Sequence, residues 1–65
     1  FTICPNPALS NTIYLSQVDD YTLSSTSGEL LSTYKNVGHI DISKLSPGSY
    51  IISNSSGNST LLLRN

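Results

Sequence analysis

The stretch DYTLSSTSGELLSTYKN, residues 20–36, is typical of a β-hairpin. Tyr21 and Leu23 alternate with hydroxyl residues, which is the period of a strand with one buried face. The sequence TSGE follows, and Gly28 can adopt the positive φ that a tight hairpin turn requires. The return over residues 29–36 is again short and free of proline. The stretch therefore predicts two antiparallel strands joined by a short turn.

The same pattern recurs along the chain, whereas no segment shows the apolar spacing of an amphipathic helix. Pro47 and Gly48 suit positions i+1 and i+2 of a type II turn. Short strands that cannot cover their own apolar faces are expected to pack as two sheets. The predicted fold class is all-β, an immunoglobulin-like antiparallel β-sandwich, with closure into a barrel as the alternative. The seven predicted strands are residues 1–4, 12–16, 20–25, 29–36, 39–43, 49–53 and 60–64.

The alternation also predicts the core. In the last strand, Leu61, Leu62 and Leu63 follow one another, so either both faces are covered or Leu62 is exposed on an edge where a partner could pair. The phase of the other strands assigns thirteen apolar side chains to the interior. They are Ile3, Ile13, Leu15, Tyr21, Leu23, Leu30, Ile40, Ile42, Leu45, Tyr50, Ile52, Leu61 and Leu63.

Composition limits the possible partners. The 65 residues are expected to form one domain, 1–65, and the abrupt start at FTICPNP indicates a piece of a longer precursor. The formal net charge is -1 and 11% of residues are charged, which argues against nucleic acid and anionic membranes as partners. The single cysteine, Cys4, excludes an internal disulfide framework.

No residue pattern predicts catalysis, a cofactor or a metal. His39 and Asp41 lie two apart on one strand face, which is typical of a solvated surface when no further ligand is near. Asp19 and Asp20 have too few neighbouring carboxylates for calcium. The 13 serines lack a nearby base for nucleophilic catalysis. Cys4 is expected either to fill an apolar gap or to cross-link two copies.

An ordered set of motifs resembles the C-terminal sorting domain of the type IX secretion system (the Por secretion tail, type A). The set consists of CPNPA, then SGELL, then IDISKLSPGSYIIS, and last an apolar strand that ends in a basic residue. Cys4 stands where that family usually carries an aromatic residue. The residues that carry the resemblance are Pro5, Asn6, Pro7, Ala8, Gly28, Leu45, Gly48, Tyr50 and Arg64, supported by Leu30, Leu31, Ile40, Ile42 and Ile52.

The resemblance implies a non-enzymatic module at the end of a larger secreted protein. Such a module is recognised in the periplasm by an outer-membrane translocon, and the cargo on its N-terminal side then crosses to the cell surface or the medium. A sortase-like cysteine protease commonly removes the module, here just upstream of Phe1, and attaches the cargo to lipopolysaccharide. Members of that family tend to carry lysines around the last strand, whereas this chain has only Arg64, so it is expected to be a weaker signal if the translocon reads terminal positive charge.

Two other functions stay open on the residues alone. One is an accessory carbohydrate-binding or adhesion module of a surface enzyme, which would need exposed aromatic side chains in a flat row. Tyr14 and Tyr34 are the candidates, because Tyr21 and Tyr50 lie in core phase. The other is a structural spacer between domains.

Overall fold

The computed structural model describes residues 1–6, 8 and 10–65. Its described part is all-β, and its strands form one curled, antiparallel sheet. Five strands are found where seven were predicted. They are β1 (Ile3–Cys4), β2 (Thr12–Ser25), β3 (Leu30–Asp41), β4 (Gly48–Asn54) and β5 (Ser59–Arg64).

The strand count is lower because two predicted interruptions are bulges inside longer strands. Between the pairs Tyr14–His39 and Asp19–Val37, residues 15–18 of β2 face the single residue 38 of β3. Farther along the hairpin, Asp20 of β2 faces residues 35–36 of β3. A bulge lets a strand bend while its pairing continues on both sides. The chain therefore curls at these points and does not break.

The second bulge depends on one residue in the left-handed region. Asn36 has a φ of 56°, a conformation that Asn tolerates better than most L-residues. Its N–H donates a hydrogen bond of 2.9 Å to the Asp20 carboxylate, the residue opposite it. The predicted break at residues 37–38 thus lies beside this kink, within the continuous strand β3.

Two strands occupy the same edge of β2 at different heights. β1 pairs with β2 at Tyr14 and Leu15, while β4 pairs with β2 over residues 21–25. β3 pairs with the opposite edge of β2, and β5 pairs with β4. The path of hydrogen-bonded neighbours is therefore β1-β2-β4-β5, in which β1 and β4 pair with different parts of one edge of β2. β3 pairs with the other edge of β2.

The two hairpins share one turn geometry. Ser25 N–H donates to the Glu29 carbonyl at 2.9 Å, and Gly28 N–H donates to the Ser25 carbonyl at 3.0 Å. The corresponding bonds in the β4–β5 turn join residues 54–58. Gly28 and Gly57 have φ of 97° and 88°, so both turns place glycine at the position of positive φ. The turn predicted at Gly28 is confirmed.

The predicted type II turn at Pro47 and Gly48 is wrong in position. Gly48 has a φ of 154°, whereas position i+2 of a type II turn lies near about +80°. The hydrogen-bonded turn lies upstream, where Leu45 N–H donates to the Ile42 carbonyl at 3.0 Å. Asp41 stabilises it by accepting a bond from Ser43 N–H, in the manner of an Asx turn.

Most of the predicted core is confirmed. Six predicted residues are buried, namely Ile13, Tyr21, Leu23, Ile40, Ile42 and Ile52. Four more pack partly buried against them, namely Ile3, Leu15, Leu45 and Tyr50. The remaining three, Leu30, Leu61 and Leu63, are exposed, and the prediction for them is wrong. Ala8 and Leu62 are buried core residues that the alternation did not identify.

Cross-strand register explains the reversed phase of β5. Tyr50 and Ile52 point inward from β4, and their partners on β5 are Leu62 and Thr60. Paired residues share a face, so Leu62 must point inward and its neighbours outward. Leu30 is exposed for the same reason, because its partner Ser24 pairs with Ile51 on the outward face.

Candidate functional site

Three separate motifs of the sequence meet at one row of the sheet. Arg64, in the last strand, pairs with Gly48 of β4 on one edge and forms a parallel bridge to Ala8 on its other edge. Asn6 and Tyr50 lie beside this row. We call Asn6, Ala8, Gly48, Tyr50 and Arg64 the motif junction. Gly28 lies apart from it in the β2–β3 turn, and Pro7 lies outside the described residues.

Asn6 closes the outer edge of β5 with its side chain. Its Nδ2 donates to the Leu61 carbonyl at 2.8 Å, and its Oδ1 accepts from Leu63 N–H at 3.1 Å. One amide therefore supplies the donor and the acceptor that a neighbouring strand would supply. Ala8 continues the contact, because its N–H donates to the Leu63 carbonyl at 2.7 Å. The edge proposed for strand addition at Leu61–Leu63 is thus already paired.

Arg64 ties the end of β5 to the segment before β2. One guanidinium nitrogen donates to the Ser10 carbonyl at 2.7 Å, and the other donates to Asn11 Oδ1 at 2.9 Å. Its Nε is buried and has no hydrogen-bond partner among the described residues. The side chain is only partly exposed, so its charge is held within the fold and is not presented as a mobile tail.

The contacts of Tyr50 account for its distance from Leu45 in the stretch LSPGSY, residues 45–50. Its hydroxyl donates to the Ser46 carbonyl, four residues upstream, at 2.6 Å. Leu45 packs against the core at the start of the same stretch. A tyrosine that bonds to the backbone upstream at a corner is a known device of immunoglobulin-type folds. Leu45, Gly48 and Tyr50 therefore act together in shaping the corner before β4.

A second tyrosine repeats this arrangement at the large bulge of β2. The Tyr21 hydroxyl donates to the Gln17 carbonyl, also four residues upstream, at 2.6 Å. Burial raises the pKa of Tyr21, and the negative charge of Asp19 raises it further. The Phe1 ring packs edge-on against Tyr21, with 5.1 Å between centroids. Sequence reasoning assigned Tyr21 to the core and did not identify this bond, since nothing in the sequence marks Gln17 as a corner.

The outward face of β3, β4 and β5 carries four apolar side chains, Leu30, Ile51, Leu61 and Leu63, which we call the apolar strip. The pairs Leu61–Ile51, Ile51–Ser24 and Ser24–Leu30 form a line across four strands, with Ser24 between Ile51 and Leu30. Leu63 lies on the same face, two residues from Leu61. Leu30 and Leu61 are 61% and 48% exposed. Exposed apolar side chains that share one face mark a site of interaction more often than isolated exposed residues do.

Another exposed group lies on β1, β2 and β3, beyond the large bulge. Cys4, Tyr14 and His39 form one row, because Tyr14 pairs with Cys4 on one side and with His39 on the other. The Tyr14 and His39 rings are 6.2 Å apart and tilted by 41°. Cys4 is exposed, so its thiol is not the apolar filler that was one of two predictions.

The carboxylates of Asp19 and Asp41 accept hydrogen bonds from backbone N–H groups and serine hydroxyls. Asp19 accepts from the Ser55 hydroxyl at 2.6 Å and from Asp20 N–H at 2.7 Å, and these two bonds hold its pKa below the ordinary value. The pKa of Asp41 is lowered by hydrogen bonds from Ser43 and, more weakly, by the charge of Lys44. Among the described residues, no three His, Cys, Asp or Glu side chains group as a metal site would require.

A half-open depression of about 210 Å³ lies where β2 is flanked by β3 and β4. Thr22, Thr33 and Ser53 line it, and cross-strand pairing places them on one face. Ordinary small-molecule sites have volumes of roughly 300–1,000 Å³. The depression is therefore smaller than a site built to enclose a cofactor.

Comparisons with known proteins gave no match, since no family model, no curated protein and no solved structure matched the chain significantly. Across the residues the structure describes, no helix is both long enough and apolar enough to cross a membrane. Any function must therefore be argued from the motifs and the geometry of this chain.

Proposed function

We propose that the chain is a non-catalytic sorting module of the type IX secretion kind. It directs a cargo on the N-terminal side of Phe1 from the periplasm across the outer membrane. Its partners are the outer-membrane translocon and a sortase-like cysteine protease, which cuts upstream of Phe1. The cargo then remains on the cell surface or is released.

The motif junction is the observation that carries this proposal. The residues that define the resemblance come from three distant segments and meet on the last strand: Gly48 and Ala8 pair with Arg64, Tyr50 pairs with Leu62, and Asn6 bonds to Leu61 and Leu63. A junction of this kind favours a signal that consists of the folded domain. The nine residues 45–53 alone would lack their partners in β2 and in β5.

The finer fold assignment belongs to the same proposal. We interpret the curled sheet as a small variant of the immunoglobulin-like sandwich, in which bulged β2 and β3 take part in both layers. The corner at Tyr50 supports this interpretation, as does the way the N-terminal segment pairs first with β2 and then, through Ala8, with β5.

The apolar strip is the surface we assign to the translocon. Leu61 and Leu63 lie on the outward face, next to the junction, and exposed apolar side chains contribute to binding when a partner covers them. The outer edge of β5 is paired with Asn6 and Ala8. Recognition through the sheet face is therefore favoured over strand addition at β5.

The experiment fuses residues 1–65 behind a periplasmic reporter in a host that carries the secretion system. We expect to find the reporter at the surface or in the medium. The proposal would be contradicted if this reporter stayed in the periplasm while the same reporter fused to a known sorting domain was exported. Replacing Leu61 and Leu63 by Ser should lower export while leaving the domain folded. Val18→Ser is the matched control, because Val18 is 64% exposed and lies off the strip.

Fusing residues 45–53 alone tests whether a peptide suffices. Export of that fusion at the level of the full domain would show that the fold is not the signal.

A further inference from the structure

We propose that the exposed face of β2 and β3 around Tyr14 binds one neutral sugar ring. Four side chains define this sugar platform: Thr12 and Tyr14 on β2, and His39 and Asp41 on β3. Thr12 pairs with Asp41, and Tyr14 pairs with His39. The inference is independent of the sorting function, since it concerns a different region of the exposed surface from the apolar strip.

The spacing of the platform follows from sheet geometry. Cross-strand partners have Cβ atoms about 5 Å apart, and residues i and i+2 of one strand lie about 7 Å apart. Thr12, Tyr14, His39 and Asp41 are therefore at the corners of a rectangle on one face of the sheet. Such an area accommodates a single pyranose ring lying flat.

The chemistry of the platform matches the two sides of a sugar. Tyr14 is 59% exposed, and the negative face of its ring attracts the C–H groups on the apolar side of a pyranose. The exposed His39 ring, tilted by 41° to that of Tyr14, extends the aromatic surface. Asp41 and the Thr12 hydroxyl stand two residues away, where they can accept hydrogen bonds from sugar hydroxyls.

The carboxylate of Asp41 is held in place. Its Oδ1 accepts from Ser43 N–H at 2.9 Å, and the Ser43 side chain also bonds to the carboxylate, so its orientation is fixed. Its negative charge selects against anionic sugars. The platform is therefore expected to prefer a neutral hexopyranoside to the corresponding uronic acid.

The test is a titration of the isotope-labelled domain with methyl glucoside and with methyl glucuronide, followed by amide chemical shifts. We expect saturable shifts at residues 12, 14, 39 and 41 with the neutral sugar and weaker binding of the uronic acid. Tyr14→Ala should weaken binding about tenfold, while Tyr14→Phe keeps the ring and the affinity. Leu30→Ala is the matched control, because Leu30 is 61% exposed and lies off the platform.

Two results would overturn the proposal. One is the absence of saturable shifts in the unchanged domain with any neutral hexopyranoside tested. The other is a Tyr14→Ala domain that binds the sugar as tightly as the Leu30→Ala domain while both give the spectrum of a folded protein.

Discussion

The side chain of Asn6 donates a hydrogen bond to the carbonyl of Leu61, 55 residues further along the chain, at 2.8 Å. With the bond from Leu63 N–H to Asn6 Oδ1, this amide takes the place of a strand on the outer edge of β5. It explains why a short, proline-flanked segment can protect an edge that would otherwise expose unpaired backbone groups. It also links the two ends of the described fold.

Replacing Asn6 by Ala should lower the free energy of unfolding by about 1–2 kcal/mol, because two exposed hydrogen bonds are exchanged for bonds to water. Asn6→Asp keeps the acceptor for Leu63 N–H but turns an acceptor oxygen toward the Leu61 carbonyl, so it should also lower the free energy of unfolding. Urea denaturation measures both. Faster hydrogen exchange at the Leu63 amide is expected in Asn6→Ala only. An unfolding midpoint equal to that of the control Asn65→Ala would contradict the prediction.

Removing the hydroxyl of Tyr21 or of Tyr50 should lower the free energy of unfolding. Tyr50→Phe and Tyr21→Phe each lose a 2.6 Å bond to a backbone carbonyl, at Ser46 and Gln17 respectively. We expect a loss of about 1 kcal/mol for Tyr50 and a larger loss for Tyr21, whose site is more buried. Thermal unfolding of the variants measures these effects.

Tyr14→Phe is the matched control for both, because Tyr14 is exposed and no described hydrogen bond involves its hydroxyl. Equal melting temperatures for all three variants would show that the corner bonds do not stabilise the fold.

The phase of the last strand gives a third prediction. Leu62→Ala should cost about 2–5 kcal/mol, since Leu62 is fully buried, whereas Leu61→Ala should cost less than about 0.5 kcal/mol. A domain this small has only a few kcal/mol of stability, so Leu62→Ala is expected to be largely unfolded at room temperature. Circular dichroism distinguishes the two variants. The reverse order of effects would mean that β5 pairs one residue out of register.

That last strand also marks what the sequence could and could not predict. Alternation around Tyr21 and Leu23, with Gly28 at the turn, was sufficient to predict the central hairpin. Three consecutive leucines carry no alternation, so the register with Tyr50 and Ile52 decides which one is buried. That register is set by the β4–β5 turn and by packing, neither of which a local pattern records.

The candidate site was only partly predictable for a similar reason. The motif residues could be identified from their order along the chain, but Tyr50 was predicted only as a core residue, and its bond to the Ser46 carbonyl was not foreseen. The contacts of Asn6 and Arg64 join segments more than fifty residues apart, and no local pattern encodes them. Two predicted strands likewise merge into β2 because the chain forms a bulge between them. Thr2, just before β1, stabilises this bulge, because its N–H donates to the Ser16 hydroxyl and its carbonyl accepts from Ser16 N–H.

The acidic residues give a pH dependence with a defined sign. Hydrogen bonds hold the folded-state pKa of Asp19 and of Asp41 below the ordinary value of 3.8. A group whose folded pKa is lowered stabilises the fold above its unfolded pKa, and that contribution is lost as the pH falls through the folded value. Unfolding should therefore become easier as the pH falls below 3.8, and carboxyl ¹³C shifts should titrate at lower pH in the folded domain than in the urea-unfolded chain.

The Ser55→Ala variant distinguishes the pKa shift of Asp19 from that of Asp41. It removes the first cause of the Asp19 shift, the hydroxyl bond of 2.6 Å, and leaves the bonds from Ser43 to Asp41 in place. We expect the titration of Asp19 to move up toward 3.8 while that of Asp41 stays where it was. Ser56→Ala is the matched control in the same turn and should move neither. If both carboxylates shift in Ser55→Ala, the change is in the fold as a whole and the assigned cause is wrong.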